Sequence, residues 1–435
     1  MVTSTASTRD LYLDALRAGA LLMVVFGHWI ATLPRLDDGL LAETDHLLQV
    51  WPAAGLLTWA VQVVPLFVFV SAAASLQGVE RRAHHDHRQL HWWASRALAM
   101  ARPTLTYVAV VAVLAIISTW TGGRLLGPLN HSLTIHLWFL VMLLTVQALL
   151  SLSVAAEQRF GLRAVFALIV TAALVDWLRA GLPGPFDLRL LGERVMAADS
   201  GAALAIGWVN AFVIWLLPQQ LGIAWKRGRF RGPLIGLLLI ATGLLWLTAT
   251  VASGYPTAMV GFDLEGRSNM LPPTLALIGV MWLQVGAVLL FEPLARRLLE
   301  HQPLTRAIGL LSALGMPLYL WHKLAELPAA WLGERLGLPI DAGVPGSAGF
   351  WAGRLWWLAL CAVMVVPVIT AVLAFELRRK RVVSGATGTV AIVAGGAALY
   401  AGLTVSLLLG ALPGTLIGSL LVLLASRLLR QRGAQ

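Results

Sequence analysis

The chain has 435 residues, of which 58% are hydrophobic and only 12% are charged. A soluble domain carries about 25% charged residues, so this composition predicts a polytopic membrane protein embedded in a lipid bilayer. In such a protein the net charge of +11 belongs to cytoplasmic loops and does not indicate a nucleic-acid partner. The single cysteine, Cys361, excludes an intrachain disulfide and any multi-cysteine metal site.

Apolar runs long enough to cross a bilayer as helices, about 20 residues each, recur along the whole chain. We count twelve of them, so the predicted fold is all-α, with about twelve transmembrane helices joined by short loops. The predicted spans are 11–33, 53–77, 97–119, 136–156, 163–180, 201–221, 233–253, 271–293, 308–330, 352–377, 387–409 and 412–429.

The basic residues predict the orientation of these spans. If the N-terminus is cytoplasmic, most of the 32 lysine and arginine residues fall in inside segments, and the first outside loop, "PRLDDGLLAETDHLL", is acidic. Loops rich in lysine and arginine stay on the cytoplasmic side of a membrane. We therefore expect an integral protein of the cytoplasmic (inner or plasma) membrane, with both termini in the cytoplasm.

The first predicted span, "LYLDALRAGALLMVVFGHWIATL", carries three ionisable residues, Asp14, Arg17 and His28. Arg17 and His28 are eleven positions apart, so on a helix they lie within about 20° of one face and about 16 Å apart along the axis. Asp14 is placed to pair with Arg17 and support it. This face therefore offers an anion binder near the inside and a proton acceptor near the outside. The alternative is that Arg17 reaches the cytoplasmic phosphates while His28 makes a buried hydrogen bond.

Polar residues in the third and fourth spans are candidates for substrate binding. Arg96 and Arg102 lie at the cytoplasmic end of the third span, where they either set the topology or bind phosphates. His136 and Trp138 open the fourth span at the outer face, either as an interfacial anchor or as contacts to an acceptor.

Two further candidates lie later in the chain, on the outer side. Asn269, in the loop "GFDLEGRSNMLPP", is placed to contact a sugar, although a prolyl turn is the plainer account. His322 lies at the depth of His28 in the ninth span, and Glu326, one turn further on, is within reach to orient its ring. A structural polar cluster is the alternative for this pair.

No metal site is expected. His84, His85, His87 and His91 are irregularly spaced in a basic loop without cysteine, which is typical of a solvated segment. Signature motifs of serine hydrolases, ATP-driven pumps and zinc proteases do not occur in the sequence.

Several stretches, taken in order, resemble acyltransferase family 3, a group of integral-membrane acyltransferases with a ten-helix core. The arginine, ten residues and histidine of "LDALRAGALLMVVFGH" are similar to the family's first helix. The segments "VPLFVFVSAAASL", "RALAMARP", "HLWFL" and "LGMPLYLWHKL" are similar to its later motifs. The resemblance divides the chain into a membrane acyltransferase core, residues 1–380, and two extra helices with a cytoplasmic tail, residues 381–435.

This resemblance implies acyl transfer from acyl-CoA, with acetyl-CoA the expected donor, to a hydroxyl of a carbohydrate or lipid-linked acceptor in the cell envelope. Arg17 would then bind the donor, with Arg96 and Arg102 as further donor contacts. His28 would act as the base or carry the acyl group, and His322 would join it in catalysis. The competing hypothesis is a proton-coupled transporter or flippase, in which the same residues bind an anion and relay protons.

Overall fold

The computed structural model describes residues 10–37, 40–80, 86–123, 125–126, 129–181, 189–198, 200–263, 265–341, 343–378 and 388–430. Almost all regular structure in these ranges is helical, which confirms the predicted all-α class of membrane protein. The long helices are α1 (Leu11–Ala31), α4 (Val64–Glu80), α5 (Asp86–Trp120), α7 (Trp138–Ala148), α8 (Leu150–Phe160), α9 (Leu162–Arg179), α11 (Gly201–Lys226), α12 (Pro233–Ala252), α13 (Leu277–Leu298), α14 (Gln302–Trp321), α15 (Glu326–Arg335), α16 (Ala348–Arg378), α17 (Thr389–Leu409) and α18 (Thr415–Leu428).

Short elements connect several of these helices. They are strands β1 (Thr32–Asp37) and β2 (Leu40–His46), helices α2 (Leu47–Val50), α3 (Thr58–Val61), α6 (Ser132–Ile135) and α10 (Leu191–Ala197), and two 3₁₀ turns, Pro52–Leu57 and His322–Ala325.

Nine stretches of the described residues are long and apolar enough to cross a membrane, or ten if the bent pair formed by Ser132–Ala148 and Leu150–Phe160 is one span. The number twelve therefore stays a prediction. Helix α9 is absent from the nine, and it carries Arg163, Asp176 and Arg179. The stretch Thr389–Leu428 is one of the nine candidate spans by length and composition. It consists of two helices, α17 and α18, which fold back on each other.

The helix ends gather on two faces. One, which we call the basic face, joins the start of α1 to the ends of α4, α8, α11 and α13 through ion pairs. They are Asp10–Lys226 (3.0 Å), Asp10–Arg296 (3.2 Å), Arg227–Glu80 (2.5 Å), Arg227–Glu157 and Arg229–Glu157 (2.7 Å). The charge pattern predicts that this face is cytoplasmic.

The opposite face, which we call the hairpin face, carries an antiparallel hairpin that the sequence analysis does not predict, and its first two residues fall within the predicted span 11–33. Strand β1 follows directly from α1, and its register pairs Thr32 with His46 of β2. Arg35 holds the hairpin to the α15–α16 connection through Asp341, at 2.9 Å. The hairpin therefore lies just beyond the C-terminal end of α1.

Glycines allow the closest helix contacts. A Cβ at Gly236 of α12 would lie 2.7 Å from the carbonyl oxygen of Gly286 in α13, and a Cβ at Gly243 would lie 2.7 Å from that of Gly279. Hydrophobic burial does not drive helix association in lipid, so such backbone approach is a main source of packing energy.

Candidate functional site

The two histidines predicted to share a site form a direct contact near the hairpin face. The Nδ1 atom of His28, on the last turns of α1, lies 2.8 Å from Nε2 of His322, which follows the end of α14. Their ring centroids are 5.0 Å apart and the planes differ by 27°. The structure thus places in contact two histidines that the sequence analysis puts at the same depth in the first and ninth predicted spans.

The partners of His322 fix the proton positions in this pair. Its Nδ1 atom lies 2.8 Å from the carbonyl oxygen of Tyr319, which only accepts, so Nδ1 of His322 carries the hydrogen. In the neutral ring Nε2 is then an acceptor, and Nδ1–H of His28 must donate to it. The remaining nitrogen of His28, Nε2, carries no hydrogen and is able to take a proton from a substrate.

His28 is the accessible member of the pair. His322 is fully buried, whereas His28 is half-buried. Of the two histidines, only His28 therefore keeps exposed surface.

His136 completes a cluster of three histidines. Its buried ring stands edge-on to that of His322, with centroids 5.6 Å apart. Its ring nitrogens face the carbonyl oxygens of Ser132 and Leu320, but neither forms a hydrogen bond of good geometry. The Tyr319 hydroxyl donates to the carbonyl oxygen of His136, so Tyr319 contacts both histidines.

The prediction that Glu326 orients the ring of His322 is wrong, because Glu326 does not contact that ring. Glu326 Oε1 instead accepts a bond of 2.7 Å from Lys323 Nζ, which also donates to Thr32 Oγ1 at 2.8 Å. A buried carboxylate binds an ammonium more strongly than a neutral imidazole, so the ion pair prevails. The Tyr319 carbonyl has the orienting role.

Three residues that the sequence did not single out hold the backbone around the pair. Trp29 Nε1 donates to the carbonyl oxygen of His322 at 3.0 Å, and Trp357 Nε1 donates to that of Trp29 at 2.8 Å. Buried Arg354 donates to the carbonyl oxygen of Thr32 at 2.8 Å. Of these three residues, only Arg354 could have been found from the sequence, because a charge beside an apolar run is unusual. Tryptophans are common at bilayer interfaces and do not indicate a site.

Arg17 and Asp14 form the predicted ion pair on α1, with Nη1 and Oδ1 3.6 Å apart. The Arg17 side chain is 41% exposed, whereas that of Asp14 is buried. The guanidinium therefore keeps access to a ligand while its charge is partly balanced.

The other predicted binding residues lie in separate places. Arg96 is exposed near the basic end of α5, where it lies 5.3 Å from the ring centroid of Trp92, and Arg102 is half-buried on the same helix. Trp138 packs beside Trp215 of α11, with ring centroids 5.9 Å apart. These observations leave the donor and acceptor roles as predictions.

Asn269 is fully buried, and its own loop satisfies its amide. The Nδ2 atom donates to the carbonyl oxygens of Pro256 (2.7 Å) and Ala258 (3.0 Å), and Oδ1 accepts from Thr274 at 2.8 Å. This geometry favours the plainer account, in which Asn269 shapes the loop, over contact with a sugar.

Among the described residues, no group of three or more histidine, cysteine, aspartate or glutamate side chains is arranged to hold a metal ion. His84 and His85 lie outside these residues.

Residues 10–376 match the sequence profile of a family described as an acyltransferase domain. The chain belongs to this acyltransferase family. No curated protein and no solved structure matches it significantly. Membership makes the protein an acyltransferase, which favours the enzyme over the transporter or flippase. The match ends before α17, so the last two helices of the acyltransferase lie beyond it.

Proposed function

We propose that this acyltransferase moves a short acyl group, most simply acetyl, from acyl-CoA to a hydroxyl of a cell-envelope glycan or glycolipid. The observation that carries the proposal is the contact between His28 and His322. It leaves one unprotonated imidazole nitrogen, on a helix that also carries a half-exposed arginine.

In the proposed reaction Nε2 of His28 removes the proton of the acceptor hydroxyl as its oxygen attacks the thioester carbonyl carbon. The tetrahedral intermediate collapses by breaking its carbon–sulfur bond. The departing CoA sulfur then takes the proton from His28, so the base is regenerated. His322 is the positioning residue, because its Nε2 accepts the Nδ1–H of His28 and holds the ring in one tautomer.

Arg17 supports binding of the donor. Its guanidinium offers paired donors that match a phosphate or carboxylate fork, and it lies about 16 Å from His28 along one helix face. An extended pantetheine arm spans such a distance. Arg96 and Arg102, near the basic end of α5, are proposed as further contacts to the CoA phosphates.

The acceptor is proposed to approach from the hairpin face, because His28 lies near that end of α1 and His136 and Trp138 begin the fourth predicted span. If the basic face is cytoplasmic, donor and acceptor reach His28 from opposite sides of the membrane. A hydroxyl on an extracytoplasmic glycan or a lipid-linked sugar fits this arrangement.

The test compares His28→Gln, His28→Ala and Arg17→Lys in nanodiscs, with acyl-CoA affinity and thioester cleavage measured separately. We expect both His28 variants to retain donor affinity and to lose turnover by about 10²–10⁴-fold, the usual cost of a missing general base. Arg17→Lys should weaken donor binding, because an ammonium does not reproduce the guanidinium fork.

His301→Gln is the matched control, since His301 is exposed at the start of α14 and its side chain makes no capping bond. It should leave both readouts unchanged. Near-native turnover in His28→Gln would make His28 a structural hydrogen bonder and would move catalysis to His322 or His136. Native donor affinity in Arg17→Lys would leave Arg17 a role in topology alone.

A further inference from the structure

A second buried arginine, remote in sequence from α1, lies at the end of α9 on the hairpin face. Arg179 is only 7% exposed, and its Nε and Nη1 atoms are buried without a hydrogen-bond partner. A guanidinium is costly to bury, and its donors are normally all satisfied. Two unused donors on one planar group therefore indicate a missing acceptor.

The nearest carboxylate does not supply that acceptor. Asp176, one turn earlier on α9, accepts from Asn210 Nδ2 through Oδ1 and from the Tyr255 hydroxyl and the Leu275 amide through Oδ2, each at 2.9 Å. Three bonds on the two oxygens hold this carboxylate in place. It balances part of the charge of Arg179 from a distance and leaves the guanidinium donors unused.

The surrounding helices make room for this side chain. A Cβ at Gly207 of α11 would lie 3.0 Å from Cδ of Arg179 and 2.8 Å from Cγ of Pro272. Glycine at this position therefore lets the arginine stem lie against the α11 backbone, which fixes where the guanidinium sits. The site is built by α9, α11 and the segment that precedes α13.

Lipid-facing side chains border the site. Leu174 and Leu178 of α9 and Trp208 of α11 are exposed apolar residues within about one turn of Arg179 or Gly207. With 18 residues α9 is about 27 Å long, close to the hydrocarbon thickness of about 30 Å, so if α9 spans the bilayer Arg179 at its end lies near the level of the lipid phosphates.

We propose that Arg179 is the anchor of a phosphate-binding site for a lipid in the leaflet at the hairpin face. Nη1 and the adjacent Nη2 form the end of the guanidinium, and this pair matches two oxygens of one phosphate group, the geometry for which arginine is preferred over lysine. A membrane phospholipid and a lipid-linked phosphate share this chemistry, and so does free phosphate. The site is distinct from the histidine cluster and does not depend on the proposed reaction.

The test uses the full-length protein purified in detergent and stripped of lipid. Its thermal midpoint is measured with each probe, and native mass spectrometry counts the lipids that stay bound. The probes are phosphatidylglycerol, phosphatidylcholine, an undecaprenyl phosphate and inorganic phosphate, each added alone. We expect at least one phosphate probe to raise the midpoint by several degrees, because a ligand bound only by the folded state stabilises it.

Three variants decide the outcome. Arg179→Gln should lose the rise in midpoint and one retained lipid, and Arg179→Lys should keep only part of the rise. Arg335→Gln, which removes an exposed arginine near the hairpin face, should respond as the native protein does. If both phospholipids raise the midpoint, the site binds bulk lipid. If only undecaprenyl phosphate raises it, the site binds a lipid-linked ligand. If only inorganic phosphate raises it, the site binds the free anion. An equal response in native and Arg179→Gln proteins, or none in either, would overturn the proposal.

Discussion

The ion pair between Lys323 and Glu326 adjoins the histidine pair and is almost completely buried. Removing one member leaves the other charge without compensation, which typically costs about 3–5 kcal/mol, whereas replacing both by apolar residues is often neutral. We therefore expect Lys323→Met to lower the thermal midpoint strongly and the double variant Lys323→Met/Glu326→Leu to restore most of it.

Arg267→Met provides the matched control, because Arg267 pairs with Asp263 at 2.9 Å while remaining 35% exposed. Such pairs contribute about 0–1 kcal/mol, so this variant should change the midpoint little. If Lys323→Met were as mild as Arg267→Met, the buried pair would have no part in holding Thr32 and the start of the hairpin.

His46, opposite Thr32 in the hairpin, predicts a pH dependence of stability. Burial, together with the charge of Lys323, lowers the pKa of His46 to about 4, below the value of about 6.5 in an unfolded chain. The unfolded state therefore takes up a proton first as the pH falls. The stability contributed by neutral His46 is complete above about pH 6.5 and is lost between about pH 6.5 and 4.

His46→Asn should remove this dependence, since asparagine can still accept the bond that Leu48 N donates to His46 Nδ1. Between the two pKa values, the free energy of unfolding of the variant should fall less steeply with decreasing pH than that of the native protein. The difference in slope should be about 1.4 kcal/mol per pH unit. Thermal midpoints from pH 4.5 to 7 measure this. Parallel curves for the native and variant proteins would show that His46 does not titrate differently on folding.

Residue by residue, the helical period located much of the candidate site. It placed Arg17 and His28 on one face, and span counting put His322 at the depth of His28. It did not find the carbonyl of Tyr319, because a backbone acceptor has no residue type to signal it. Glu326 was assigned to the wrong partner because residues three and four positions away on a helix are both close in space, and the charge of Lys323 decides between them.

At the scale of elements, α17 and α18 form an antiparallel hairpin that lies beyond the family match. Gly402 and Gly418 face each other, and a Cβ on Gly418 would meet the carbonyl oxygen of Gly402 at 2.8 Å and collide with the hydroxyl of Ser406. The turn between the helices reaches the segment before His136, where Ala411 N donates to Asn130 Oδ1 at 2.8 Å. The extra helices therefore contact the loop that carries the third histidine.

We expect Gly418→Val to separate these helices and to reduce acyl transfer severalfold through the displaced His136 segment, while the affinity for acyl-CoA stays near native. Turnover and donor affinity measured on the same nanodisc preparation test this. Ala397→Val is the control, because Ala397 is exposed on α17. Equal turnover in the two variants would show that the hairpin has no influence on the site.

Apolar length identified most of the long helices, because the bilayer fixes how many residues a span needs. The β-hairpin escaped prediction since its residues, "TLPRLD" and "LLAETDH", lack a clear alternation of apolar and polar positions. The suggestion that Asn269 contacts a sugar is not favoured for a related reason. A polar side chain in a loop forms hydrogen bonds to the backbone of that loop as readily as to a ligand.

For the whole molecule, the charge pattern and the structure agree that helix ends alternate between two faces, and the sequence alone assigns the basic face to the cytoplasm. Cys361 is free and buried, so Cys361→Ala gives a background without reactive thiols. On that background Glu43→Cys, exposed in the hairpin, should react with an impermeant maleimide in intact cells, whereas Ala434→Cys should react only after permeabilisation. The reverse result would invert the orientation.

The bond between His28 and His322 joins residues 294 positions apart in the chain. At a synthesis rate of about 5–20 residues per second, His28 enters the membrane roughly 15–60 s before its partner leaves the ribosome. During that interval nothing from His322 fixes the tautomer of the His28 ring. A nascent or prematurely released chain that ends before residue 322 therefore carries the first histidine without the residue that orients it, so incomplete copies of the enzyme in the membrane should not transfer an acyl group.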